Sequence, residues 1–319
     1  LLYIIYFGLT TMEIIFLLFG KMPLYDAICT SLGTAGTGGF GIKNDSFCSY
    51  NVYLQWVVTI FMILFGVNFN AYYLLLFGHI REALKVEEVR YYFSIIIASV
   101  VVISVNIAHM CTGVFDAVTK AAFQVGSIIT TTGFSSTDFD RWPELSKTLL
   151  VLLMFIGACA GSTGGGIKVS RIVIAVKTIR KELNGYIHPK SVKKLTFEHK
   201  PVDHDVIRSI NVYFMTYAVI FIVSLLLVSV ENYDFTTNFT AVAATFNNIG
   251  PGLSLVGPTC NFGFFNNFSK YVLMFDMLAG RLELFPLLIL FHPSIWKELF
   301  IQADKKVKGN RKEKQNVRM

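Results

Sequence analysis

The sequence predicts an all-α polytopic membrane protein, built of repeated helix–pore loop–helix units around a central pore. Three observations predict it: apolar stretches of spanning length, a shorter semi-apolar segment that recurs three times between them, and a glycine closing each of those segments. Of the 319 residues, 54% are hydrophobic and 15% charged, against roughly 25% charged in soluble domains.

A crossing needs about 20 mostly apolar residues. The stretches 1–20, 54–77, 91–110, 145–156 continuing past a glycine run, 206–230 and 271–291 are read as crossings. The chain opens inside an apolar stretch without Met, unlike a secretory leader with its basic start and cleavage site, so Leu1 is read as a truncated start.

The net charge of +7 is read loop by loop. Nineteen basic residues fall on one side, around Arg81, Lys85 and Arg90, across 177–208, and in the tail from Lys297. The other side holds six: Lys21, Lys43, Lys120, Arg141, Lys147 and Lys270. Basic loops stay in the cytoplasm, so loop topology explains the charge and nucleic-acid binding is set aside. The five cysteines have no metal-ligand or redox spacing, and no two of the six histidines pair at metal spacing. Nothing suggests catalysis, and the chain is read as no enzyme.

The three short segments are 26–39, 116–133 and 235–250. Each is too short or too polar to cross, so each must be re-entrant. Non-helical backbone at membrane depth survives only where it is buried in protein or lines a wet cavity. Aligned on the last glycine they read Thr37-Gly38-Gly39-Phe40, Thr131-Thr132-Gly133-Phe134 and Asn248-Ile249-Gly250-Pro251. This varies the potassium-channel filter, in which rings of backbone carbonyls replace the ion's hydration shell. Aiming carbonyls inward needs dihedrals that glycine adopts readily, threonine adds a hydroxyl ligand, and the preceding helix points its negative end at a cation. Asp45, Asp138, Asp140 and Glu231 are placed near the same mouth, to attract cations or as ordinary loop residues.

The run 157–166 interrupts the crossing that starts at Leu145. Each interior glycine costs about 1 kcal/mol relative to alanine, so the helix breaks there and a loop below the filter is positioned to block ions. Its residues Gly161, Ser162, Thr163, Gly164, Gly165 and Gly166, followed by Lys168, nearly spell a phosphate loop. The register fails by one residue and no strand precedes it. Arg281, midway along the last predicted crossing, costs at least about 2.5 kcal/mol there and needs a wet cavity or a partner such as Asp276 or Glu283. Glu13 is read as structural.

The stretches TSLGTAGTGGF, FQVGSIITTTGFSSTDFDRWP, GACAGSTGGGIKVSR, NNIGPGLSLVGP and MLAGRLELFPLLILFHPSIW resemble the TrkH/KtrB potassium transporter subunits, over nearly all the chain to Trp296. The resemblance implies four pore repeats in one polypeptide, of which this chain carries the second at 1–80, the third with gating loop and cytoplasmic linker at 81–200, and the fourth at 201–300, with a basic cytoplasmic tail at 301–319. A first repeat would precede Leu1. It further implies potassium as the transported ion at Thr37–Phe40, Thr131–Phe134 and Asn248–Pro251, and a gate formed by Gly161–Gly166, Lys168 and Arg281, with the arginine facing the pore below the filter. It implies a multi-pass protein of the plasma or inner membrane, with pore loops external. The expected partners are a second copy in a homodimer and a cytosolic TrkA/KtrA-like regulatory subunit, which would bring the only nucleotide. Channel and proton or sodium symport stay open, with an inverted-repeat transporter of another cation and a membrane nucleotide-binding protein as alternatives.

Overall fold

The structure is a computed structural model describing residues 2–83, 85–188, 194–198, 200–282, 284–290 and 293. Two compact units emerge, one through Arg281 and one from Leu282 onward. The first unit runs α1 (Leu2–Phe19), α2 (Leu24–Ala35), α3 (Val52–Phe65), α4 (Phe69–Leu76), α5 (Ile80–Ala83), α6 (Glu87–Ile107), α7 (Val114–Ile129), α8 (Glu144–Ile156) and α9 (Val169–Ile187). A two-residue antiparallel hairpin, β1 (Thr196–Phe197) and β2 (Lys200–Pro201), precedes α10 (His204–Val228), α11 (Phe235–Phe246) and α12 (Asn267–Arg281). The second unit contains α13 (Leu284–Leu290).

Three described helices, α1, α6 with its following turn, and α10, are long and apolar enough to cross a membrane. The chain is thus a multi-pass membrane protein with almost no strand. α2, α7 and α11 have 12, 16 and 12 residues; at 1.5 Å per residue they reach about 18–24 Å, short of the roughly 30 Å hydrocarbon core. They coincide with the three segments expected to be re-entrant. In α7 every residue from Ala121 to Ile129 is buried. It packs on α3 and α6, as α11 packs on α10 and α12.

Three expectations need correction. The stretch 54–77 is two helices bent by 93°, because Gly66 ends α3 and the Asn68 side chain accepts from Asn70 N at 2.9 Å to start α4. The bend's backbone is used elsewhere: Tyr72 Oη donates to Leu64 O at 2.6 Å and Cys159 N to Gly66 O at 3.0 Å. The stretch 271–291 is likewise no single helix, since α12 ends at Arg281. Arg281 therefore sits at a helix C-terminus, where the dipole favours a cation. Nor does Asp276 partner it, for its carboxylate accepts from Ser224 Oγ at 2.6 Å. Glu283, Trp296 and the tail 301–319 lie outside the described residues. Glu13 is fully buried in α1 beside α2.

Candidate functional site

The three re-entrant helices end alike. Thr37 N bonds Thr34 O at 3.1 Å and Gly38 N bonds Gly33 O at 2.7 Å; Thr131 N and Thr132 N repeat this with Ile128 O at 3.0 Å and Ser127 O at 2.9 Å; Asn248 N and Ile249 N do so with Thr245 O at 3.0 Å and Ala244 O at 2.8 Å. This is the Schellman arrangement, which places its first residue past the helix in the left-handed region. Here that residue is Thr37 (φ 49°), Thr131 (φ 57°) or Asn248 (φ 56°). An L side chain costs about 1–2 kcal/mol there, so a threonine with a buried, bonded hydroxyl carries strain that the surroundings hold in place. Two residues later the chain turns again at Gly39 (φ 68°), Gly133 (φ 91°) and Gly250 (φ 108°).

These turns interlock. A Cβ on Gly39 would run into the Thr132 carbonyl oxygen, and one on Gly133 into the Ile249 carbonyl oxygen. Gly39 and Gly133 thus each admit the carbonyl of the next segment, in the order first, second, third. A Cβ on Gly250 would meet nothing within 4 Å. The residues after the glycines follow the same order. Pro251 Cδ would lie 3.4 Å from a Gly133 Cβ, and the Phe134 ring tip 3.2 Å from a Gly33 Cβ. Phe134 is fully buried against Phe47, whereas Phe40 is 82% exposed.

Side chains behind the turns brace them. Ser127 Oγ donates to Phe134 O at 2.6 Å, and Tyr217 Oη to Asn247 Oδ1 at 3.0 Å. Between segments, Phe47 N donates to Ser135 O at 2.8 Å and Ser254 N to the Asp140 carboxylate at 3.0 Å. The acids expected near the mouth are thus partly committed: Asp138 pairs with Arg141 at 3.0 Å and Glu231 accepts from Asn266 N at 3.1 Å. Among the described residues no three His, Cys, Asp or Glu side chains converge on a metal position.

The glycine run forms a loop between α8 and α9 that touches the base of all three segments. Thr37 Oγ1 donates to Thr163 O at 3.2 Å, and Gly165 N donates to Thr131 Oγ1 at 2.6 Å. A Cβ on Gly165 would lie 3.1 Å from Asn247 O, and one on Gly164 3.1 Å from Thr130 O. Alanine would thus press on backbone at either place. Gly161 and Gly166 turn with φ of 69° and 73°, Ser162 Oγ donates to Cys159 O at 2.6 Å, and the Lys168 ammonium donates to Gly164 O.

Arg281 completes the cluster. Its Nη1 donates to Thr37 Oγ1 at 3.1 Å and its Nη2 to Gly36 O at 2.9 Å. The neighbouring Gly280 lets α12 come this close, since a Cβ there would run into Phe246 O. The structure thus brings the glycine loop, Lys168 and Arg281 onto the ends of the three segments, with Phe40 facing outward. Missed were Glu88 and Asn68, which hold the loop from outside: Ala160 N donates to Glu88 Oε1 at 2.7 Å and Asn68 Nδ2 to Glu88 Oε2 at 3.3 Å. Their one signal was a second acid at the start of a crossing and an asparagine inside another.

The family model for TrkH, a cation transport protein, matches residues 1–298. The Trk system potassium uptake protein TrkH of Salmonella typhimurium is 35% identical over 304 residues, covering 93% of this chain and 62% of that protein. Trk system potassium uptake protein TrkG of Escherichia coli is 32% identical over 281 residues, covering 86% and 57%. The crystal structure of the potassium transporter TrkH from Vibrio parahaemolyticus superposes with a TM-score of 0.86 at 34% identity, covering 92% of this chain and 64% of that one. The chain spans about three fifths of the length of the relatives it matches.

Proposed function

Because this chain belongs to the TrkH family of cation transport proteins, we propose that it contributes three pore-lining segments to a potassium uptake system. One observation carries the reading: three helix ends share the same strained cap, and the first two fit glycine to the carbonyl of the next in sequence order. A dehydrated potassium ion on their common axis is met by main-chain oxygens held rigid by the caps and braces, which substitute for water without reorganising. Thr37 to Phe40, Thr131 to Phe134 and Asn248 to Pro251 are the filter. The open side of Gly250, together with the outward-facing Phe40, is where a further repeat of the same kind would close the ring.

The loop with Gly161–Gly166 and Lys168 is the gate, supported by its seat on Thr37, Thr131 and Asn247. In this position it occupies the hydroxyls that would otherwise face an ion. Arg281 adds charge to the barrier, because a monovalent cation about 4 Å away is opposed by about 4 kcal/mol at an effective dielectric near 20. No chemistry is performed. The protein works as a multi-pass membrane homodimer, with filter openings external and the Lys- and Arg-rich 177–208 face bound to a cytosolic regulator of the TrkA/KtrA kind, whose nucleotide sets the gate.

The test is rubidium-tracer uptake by cells lacking their own potassium uptake and expressing the whole gene product with its regulator. Saturable uptake inhibited by potassium is expected. No uptake above the empty strain, with the protein present in the membrane, overturns the reading. Accumulation against the potassium gradient that collapses with the proton or sodium gradient separates symport from a channel.

A further inference from the structure

The loop is shut at its base by a carboxylate that the filter does not use. Glu88, at the start of α6, is 1% exposed. Its Oε1 accepts from Ala160 N at 2.7 Å, on the arm leaving α8, and from Ser170 N at 3.1 Å, in the first turn of α9. Its Oε2 accepts from Asn68 Nδ2 at 3.3 Å. One carboxylate thus draws together both arms of the loop and ties them to the α3–α4 bend.

We propose that Glu88 is a positioning residue of the gate: a buried clasp across the neck of the loop that keeps its tip seated under the filter. This rests on the reading of the loop as the gate, and names what holds that gate shut.

Three features make the clasp specific. A buried carboxylate is stable only when fully bonded, and among the described residues its donors come from the loop, from α9 and from the bend. Ser170 N is one of the donors at a helix N-terminus that have no partner within the helix, so the charge also meets the favourable end of the α9 dipole. The bend and the loop share further bonds, Phe69 N to Gly161 O at 3.2 Å and Cys159 N to Gly66 O at 3.0 Å, so the clasp works with them to hold the arms against the bend. Next along α6, Glu87 pairs with Lys177 of α9 at 2.5 Å and accepts from Glu198 N of the hairpin at 3.2 Å. A pull on the hairpin or on α9 therefore acts at the residue beside the clasp.

Native Cys159 reports on the neck, being fully buried on the arm that Glu88 holds. In the whole gene product with its regulator, Glu88→Gln keeps the size and loses the charge, so these charge-assisted bonds weaken. Alkylation of Cys159 by a small maleimide, followed by peptide mass spectrometry, is expected to accelerate about tenfold, with basal rubidium flux rising alongside it and the potassium-over-sodium ratio unchanged. Glu88→Asp, which keeps the charge and loses reach, should fall between, and is read in its place if Glu88→Gln fails to accumulate in the membrane. Unchanged Cys159 protection overturns the clasp. Faster alkylation with unchanged flux supports the clasp and overturns the gate reading instead.

Discussion

Arg281, the last residue of α12, donates to the hydroxyl of Thr37 at 3.1 Å, across 244 residues of sequence. The same hydroxyl lies 3.2 Å from the Thr163 carbonyl of the loop. One threonine at the end of the first short segment is thus the meeting point of the Arg281 guanidinium and the glycine loop.

Arg281→Ala removes that charge while leaving the α12 backbone in place. Basal rubidium flux into proteoliposomes should rise at least about tenfold, given the Coulomb barrier argued above. Arg281→Lys, which keeps a charge on a single point, should leave it low. Equal flux in all three proteins would remove the arginine from the barrier.

Gly133→Ser adds a Cβ directed at the Ile249 carbonyl, at a φ of 91°. Beyond the left-handed backbone strain of about 1–2 kcal/mol, the Cβ displaces the Ile249 oxygen that the proposed filter turns to the ion. Potassium-over-sodium permeability should drop about tenfold, measured as reversal potential in reconstituted bilayers. Gly185→Ala is the control, since a Cβ there meets nothing within 4 Å; it should leave selectivity unchanged.

Thr131→Val keeps the β-branched shape and deletes the oxygen that accepts from Gly165 N at 2.6 Å. An orphaned buried N–H costs about 1–3 kcal/mol, so the loop should loosen. Amide exchange across the peptide 161–168 should quicken about tenfold, and Thr131→Ser should restore the parent rate. No change with valine would mean that the loop is held by other contacts.

Asp234 caps α11 outside the spanning helices, accepting from Thr237 Oγ1 at 2.6 Å and Thr237 N at 2.9 Å. The Thr237 hydroxyl bond, with the backbone bond behind it, holds this carboxyl below its ordinary value despite some burial. Its stabilisation is complete above the unfolded carboxylate pKa of about 3.9 and is lost as pH falls through the lower folded value. Asp234→Ala should cost about 1 kcal/mol at neutral pH. The gap in melting temperature between parent and variant, measured in detergent, should close in strong acid. A gap that widens as pH falls would reverse the sign argued here.

The three capped segments were legible because their pattern is local. A short segment ending in glycine, three times over between apolar stretches, is a pattern that one strand of sequence can carry. The bend at Gly66–Asn68 was not, because 54–77 is apolar on average despite Asn68 and Asn70, and mean hydropathy is blind to a turn whose backbone bonds come from Tyr72 and Cys159. Arg281 announced itself as a charge among apolar residues, yet its placement depended on where α12 ends. Glu88 was invisible for a different reason: two of its three donors are backbone N–H groups 72 and 82 residues away, and backbone donors leave no mark in a sequence.

The central claim is that a potassium ion sits among these carbonyls. Anomalous diffraction from crystals of the whole protein grown in rubidium or thallium tests it most directly. The account predicts peaks on the common axis, within coordination distance of the Thr132 and Ile249 carbonyl oxygens. Ordered ions elsewhere, with none beside those two oxygens, would contradict it.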